Sequence, residues 1–269
     1  MDWLSGELTT VALCWRVERR DGVAVGLTSH DRDLVVDGMT YRAAPGMTPS
    51  AVKRGDGLEA DTTDVSGALT GAAISETDLL AGRWDGARVA LFAADWTGEG
   101  APVPLGEGTI GAVETRGDAF TAELQGAAAA LARPVVEETS AECRAELGDR
   151  RCRVPMAALR RFARVVSCAD RVLTVDAPEP SADAYGGGLV RWFGGANGGL
   201  ESAAASSDGN TVTLRAPPAF EPEAGALVEL VEGCDKSWTT CCARFGNGAN
   251  FRGEPFLPGI DLLTRYPGA

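Results

Sequence analysis

Two pairs of cysteines stand at either end of a long stretch of chain. Cys143 and Cys152 are spaced C-x8-C in CRAELGDRRC, and Cys234 and Cys241 are spaced C-x6-C in CDKSWTTC. Pairs placed this way are the sequence shape of one shared metal or cluster site, because neither stretch supplies all the ligands alone. Structural zinc normally uses cysteine knuckles with roughly two to four intervening residues, whose short loops fit a tetrahedron around one ion. Both spacings here are more open. A [4Fe–4S] cube is wider and accepts thiolates from separated loops. Spacing alone leaves three readings: an iron–sulfur cluster, a zinc clasp, and buried apolar cysteines with no ligand role. Cys242, beside Cys241 in CCARF, is an alternative fourth ligand.

Charge and length narrow the classes further. With 38 acidic against 25 basic residues the formal charge is −13, which argues against a protein that grips a phosphate backbone. A length of 269 residues suggests two cores. No run of about 18 apolar residues marks a membrane span. Met1-Asp2-Trp3 shows neither the basic nor the apolar part of a secretory leader. The seven cysteines, an odd number, then read as free thiols and ligands in a reducing compartment. His30 is the only histidine, so a Ser–His or Cys–His nucleophile has almost no material. No catalytic residue is assigned, and the acidic side chains read as a solvated surface.

Local patterning predicts a mainly β chain with minor α content. Thr10–Val17 alternates, with Val11, Leu13, Trp15 and Val17 on one face and Cys14 and Arg16 on the other, as in a half-buried strand. Asp37-Gly38 between Val36 and Met39 signals a type I′ hairpin over Leu34–Tyr41. His30 falls in the turn region before it. Asp64–Leu69, Arg88–Ala93, Thr109–Thr115 and Ala119–Leu124 read as strands, the last two joined at Gly117-Asp118. Ser75 caps a short helix through Ala81 with Asp78 at the third helical position, and Ala127–Ala132 reads as another helix stopped by Pro134. Residues 1–135 thus form an N-terminal antiparallel β domain.

Residues 136–269 form a C-terminal domain clasped by the cysteines. Helical turns are expected at Ser140–Leu147 and Met156–Arg161. Phe162–Val166, Val172–Val175, Leu189–Phe193, Thr211–Leu214 and Leu227–Val231 read as short strands. They predict a small β barrel or sandwich, residues 161–231, inserted between the two cysteine pairs. The GGANGG stretch at Gly194–Gly199 lacks the strand–loop–helix frame of a phosphate cradle and reads as a hairpin tip. Arg144, Lys236 and Arg244 are candidates to offset the negative charge of a four-thiolate site.

The run GCDKSWTTCCARFGNGANFRGEPFLPG, residues 233–259, resembles the C-terminal motif of a phage tail baseplate hub or tail-tip family, found in long flexible-tailed phages and gene transfer agents. CRAELGDRRC matches that family's first cysteine pair. TSHDRDLVVDGMTYRAA, DVSGAL and ISETDLLAGRWDGARVALFAADW resemble its N-terminal half. The resemblance implies a virion structural protein of the tail, assembled in the bacterial cytoplasm. It implies a homotrimer forming a ring between the distal tail protein ring and the central fibre or spike protein. DNA would pass through without sequence-specific binding, and no membrane anchor is implied. It also implies a [4Fe–4S] cluster held by Cys143, Cys152, Cys234 and Cys241. Arg244, Phe245, Asn250 and Phe251 match family positions and read as packing or turn residues. With no flavin or nicotinamide site evident, a structural cluster is expected, tying together segments about 90 residues apart and closing a long loop. The alternatives are an iron–sulfur redox protein and a zinc-clasped interaction module.

Overall fold

A computed structural model describes residues 3, 9–43, 48–49, 62–68, 74–98, 100–116, 119–126 and 136–257. The chain divides into two units, Met1–Val135 and Val136–Ala269. The expected helix at Ala127–Ala132 and the Gly117-Asp118 turn lie outside the described residues.

The first unit is one nine-stranded sheet. In chain order its strands are β1 (Val11–Glu18), β2 (Ala24–Thr28), β3 (Leu34–Val36), β4 (Met39–Ala43), β5 (Thr48–Pro49), β6 (Thr62–Ala68), β7 (Arg88–Asp95), β8 (Val103–Arg116) and β9 (Ala119–Gln125). They lie side by side as β3-β4-β2-β1-β7-β8-β9-β6-β5. Trp15, Val17, Val89 and Leu91 point to one face and are buried there with Trp84 and with Leu79 of helix α1 (Glu76–Leu80). The Ser75 hydroxyl accepts from the Asp78 backbone N–H at 3.1 Å, the expected cap. The opposite face of β1 is buried as well: Cys14 sits with Tyr41 and Ala94 in a second small core. Its thiol donates to the Thr28 hydroxyl at 3.5 Å.

The Asp37-Gly38 hairpin forms as the sequence indicates. Val36 pairs with Met39, and both turn residues have positive φ, 49° and 77°, as a type I′ turn requires. One feature departs from the antiparallel expectation: β2, which no pattern announced, pairs with β4 in parallel. Gly26 permits this. A Cβ there would lie 2.8 Å from the Thr40 carbonyl oxygen and 2.9 Å from the Tyr41 ring.

The second unit is a closed six-stranded barrel with a cysteine-bearing annex. Its strands are β10 (Arg160–Ala169), β11 (Val172–Val175), β12 (Leu189–Trp192), β13 (Glu201–Asp208), β14 (Thr211–Leu214) and β15 (Leu227–Val231), closed in the order β10-β11-β14-β13-β12-β15. Two long strands turn the corners. β10 pairs with β15 through residues 160–164 and with β11 from Val165 onward, across a register shift at Val165/Ser167, and β13 shifts likewise at Ala204/Ser206. Alternate residues fill the interior, with Val165, Leu173, Tyr185, Val190, Trp192, Val212, Val228 and Leu230 all buried. Gly194–Gly199 joins β12 to β13 as the hairpin tip that was expected.

Three local expectations change. β13, ESAAASSD, has no β-branched or aromatic residue and gives no strand signal, yet Ala204 is fully buried among the large core side chains. Met156–Leu159 is a single 3-10 turn, and Arg160 and Arg161 already belong to β10. Ser140–Leu147 is irregular rather than helical, because its backbone groups pair across the chain: Cys143 N–H donates to Lys236 O at 2.9 Å and Arg144 N–H to Arg252 O at 3.0 Å.

The pairing of Arg160 with Val231 sets the two ends of the barrel segment side by side. Cys152 precedes that pair by eight positions and Cys234 follows it by three, so both reach the same end of the barrel. Among the described residues no helix is long and apolar enough to cross a membrane.

Ala204 is fully buried in the same core as Trp192 and Tyr185. Ala204→Leu is expected to overpack the barrel and cost about 1–3 kcal/mol. The measurement is the urea midpoint, and an unchanged midpoint would show that the barrel has slack there.

Candidate thiol-lined centre

Three short segments build the site below the open end of the barrel. The first carries Cys143 and Cys152. A turn holds Cys152: the Asp149 carboxylate accepts from the backbone N–H groups of Cys152 at 2.6 Å and Arg151 at 2.8 Å. The Cys152 N–H above all, and the other amides with it, hold that carboxyl below its ordinary pKa. The second segment leaves β15 through Gly233 and presents Cys234, then enters helix α2 (Trp238–Ala243), which carries Cys241. Ser237 caps α2 by accepting from Thr240 N–H at 3.1 Å, and Asp235 accepts from Ser237 N–H at 2.9 Å and from the Thr240 hydroxyl at 2.7 Å. The third segment, residues 247–254, closes over the other two.

Cys143, Cys152, Cys234 and Cys241 all line one narrow cavity of about 10 Å³, room for about one water. Ala145, Leu147, Val154 and Phe245 supply its apolar wall, and Lys236, Asn247 and Asn250 its polar one. Cys242, the alternative fourth ligand, is exposed and is not among the lining residues. Cys14 belongs to the first unit's core, and Cys168 lies at the β10–β11 turn. All seven cysteines are free thiols.

Three of the four sulfurs receive N–H groups. Lys236 N–H donates to Cys234 Sγ at 3.4 Å, Arg252 N–H to Cys143 Sγ at 3.4 Å, and the Asn247 amide to Cys152 Sγ at 3.7 Å. Burial raises the pKa of the Cys234 thiol, and it raises that of Cys241 with a further push from Cys143 and Cys234. A ligand that needs thiolates must therefore displace protons here, so its affinity rises with pH. Among the described residues no three or more His, Cys, Asp or Glu side chains are arranged to hold a single metal ion.

The expected cations do not face the sulfurs as free charges. Arg144 forks onto Glu254, with N–O distances of 2.7 and 2.8 Å, and also meets Glu137. Lys236 donates its ammonium to Ala145 O at 2.7 Å and to Glu146 at 3.2 Å. Arg244 donates to Glu232 at 2.6 Å and to the Ala184 carbonyl at 3.0 Å, which ties α2 to the barrel. Sequence reasoning passed over Asp149 and Asn247. Asp149 carries a legible signal, an Asp two and three positions before the amides it accepts. Asn247, whose amide also donates to Cys152 O at 2.6 Å, carries none, since its partner is 95 residues away. Phe251 packs edge-on against Trp238, ring centroids 5.1 Å apart.

These features define a class: a two-part, mainly β protein whose C-terminal barrel carries a thiol-lined centre. Comparison with known proteins narrows it. Residues 1–155 match the family described as baseplate hub protein, N-terminal attachment domain, and residues 183–261 match the one described as phage conserved hypothetical protein BR0599. Among solved structures the chain is similar to one in the virion of a native gene transfer agent particle, at 35% identity and a TM-score of 0.87, over 99% of this chain and 94% of that one. No curated protein matches. The chain belongs to the phage tail baseplate hub family. The first family match ends just after Cys152, and the second contains Cys234 and Cys241, so the centre is assembled from both.

The Arg144–Glu254 fork yields a pH prediction. Arg144 is the main cause that lowers the Glu254 carboxyl from 4.5 to about 2, helped by the Ser140 N–H. A depressed carboxylate stabilises the fold above its unfolded pKa and loses that contribution as pH falls toward the folded one. Wild type is therefore expected to exceed Glu254→Gln in thermal stability near neutrality, with the gap closing between pH 4.5 and about 2. A gap that stays constant across that window would show that the fork contributes nothing as an ion pair.

Proposed function

We propose that the chain is the structural hub of a phage-type tail, a homotrimeric ring between the distal tail protein and the central fibre or spike protein. The likeness to a gene transfer agent virion chain over 99% of this chain supports the hub role most directly. In this reading DNA passes through the ring without sequence-specific contact.

We further propose that Cys143, Cys152, Cys234 and Cys241 hold a [4Fe–4S] cluster. The observation that carries it is that four thiols from segments about 90 residues apart line one cavity, three of them with N–H donors on sulfur. Such donors stabilise thiolate charge, so they fit the group. When bound, the cluster supplies four metal–thiolate bonds joining the annex to the end of the barrel. Asp149 and Ser237 position Cys152 and Cys241 by holding the turns around them, while Arg244 keeps α2 on the barrel.

The test is anaerobic purification with absorbance and iron, sulfide and zinc analysis. Wild type and Cys242→Ser are expected to be brown with iron and sulfide in near-equal amounts, and Cys234→Ser colourless. Zinc in place of iron would keep the clasp and replace the cluster. Neither metal, with an unchanged fold in Cys234→Ser, would reduce the four cysteines to core residues.

A further inference from the structure

One stretch reverses the charge of the whole chain. Residues 150–171 hold seven arginines and a single acid, Asp170, a net +6 that leaves −19 for the rest of a chain totalling −13. The structure spreads part of this stretch over the barrel's outer surface. Arg160, Phe162, Arg164 and Val166 alternate outward along β10, and all four are exposed. Phe162 is 62% exposed and Phe193 56%, and the two rings lean on each other at 5.8 Å. Among the described residues Arg160 has no carboxylate partner, and the Arg164 guanidinium donates to a backbone carbonyl, Gly225 O, at 2.9 Å. The carboxylate opposite Phe162, Glu229, is buried and occupied by Arg191 at 3.2 Å. Two phenylalanine rings in tilted contact, flanked by arginines that have no carboxylate partner among the described residues, have the make-up of an interface centre, where aromatic residues and arginine are enriched.

The first unit carries the complement. β3 is a terminal strand of its sheet, and Val35 at its middle is 71% exposed. Asp31, Asp33 and Asp37 stand exposed around it, against two exposed arginines, Arg32 and, on the paired strand β4, Arg42. An apolar residue on an open strand edge with three acids against two arginines matches, in chemistry and in the sign of its excess charge, an aromatic pair rimmed by arginines. A cyclic ring needs such a pair, since each copy must show two different, mutually fitting surfaces.

We propose that the Arg160–Phe162–Arg164 and Phe193 patch of one copy receives the acidic β3–β4 edge around Val35 of the next. This rests on the ring reading above and names the contact that closes it. Nucleic acid fits the patch less well, because the phenylalanine rings pack on each other instead of standing apart for bases to stack on.

Sedimentation velocity across a concentration series at low salt tests this on four samples: wild type, Arg160→Glu/Arg164→Glu, Val35→Lys, and an equimolar mixture of the two variants. All the substituted positions are exposed, and thermal melts check that folding is kept. Wild type is expected to associate, less so as salt rises, and each variant alone to stay monomeric. The mixture is expected to form a 1:1 pair that grows no further, because one variant keeps only the acidic edge and the other only the basic patch. Variants that associate like wild type would overturn the proposed contact while leaving the ring standing. Wild type that stays monomeric at every concentration would remove both. Retention of a duplex oligonucleotide by wild type and not by Arg160→Glu/Arg164→Glu, without self-association, would reassign the patch to DNA.

Discussion

The pairing of Arg160 with Val231 is the contact on which the C-terminal unit depends. From sequence, the metal clasp is the device that closes a loop of some 90 residues. In the structure, the first and last strands of the barrel have already closed it. The 82 positions separating Cys152 from Cys234 reduce to eight before the strand pair and three after it. Loop-closure entropy grows only logarithmically, so this shortening removes roughly 2 kcal/mol from the cost of bringing the two pairs together. The barrel preorganises the thiols, and what a cluster would add is the fixing of two short loops and one helix against a rigid end.

Around that centre the charged side chains act as ties. Arg144 joins the first cysteine segment to the last strap through Glu254, and Arg244 joins α2 to the barrel through Glu232 and Ala184. The sulfurs are served mainly by backbone and amide N–H groups, which carry partial positive charge without the desolvation cost of burying an ammonium or guanidinium, and Cys234 also by the nearby Lys236 charge. A tail part under mechanical load gains from this division. The ion pairs anchor segments to each other, and the N–H groups tune the thiols.

Much of the fold was legible where local rules govern it. Asp37-Gly38 between apolar neighbours, Ser75 three positions before Asp78, and the alternation of β11, β12, β14 and β15 all carry their structure in a few adjacent residues. β13 was not legible, because alanine and serine give no strand signal, and Ala204 is fully buried in the same core as Trp192 and Tyr185. β2 was hidden by Gly26, whose role is to let β4 approach in parallel. In the site, the four lining cysteines were named by spacing and by family resemblance together. The loss of helix at Ser140–Leu147 could not be read, since its amides find partners at Lys236 and Arg252, about 90 and 110 residues on.

The adjacency of the barrel's two ends has a meaning for how such chains diversify. A segment that begins and finishes on neighbouring, hydrogen-bonded strands behaves as a cassette: it can lengthen, shorten or change its outer face while the thiols beneath keep their places. The two family matches leave residues 156–182 between them, the stretch that holds β10 and β11 and the arginine-rich surface. The thiol-lined centre falls inside the matched regions, and the most positively charged outer surface falls in the gap. Four of the six barrel strands, β12 to β15, fall inside the second match, so the room that this joint leaves for change is the outer face of β10 and β11.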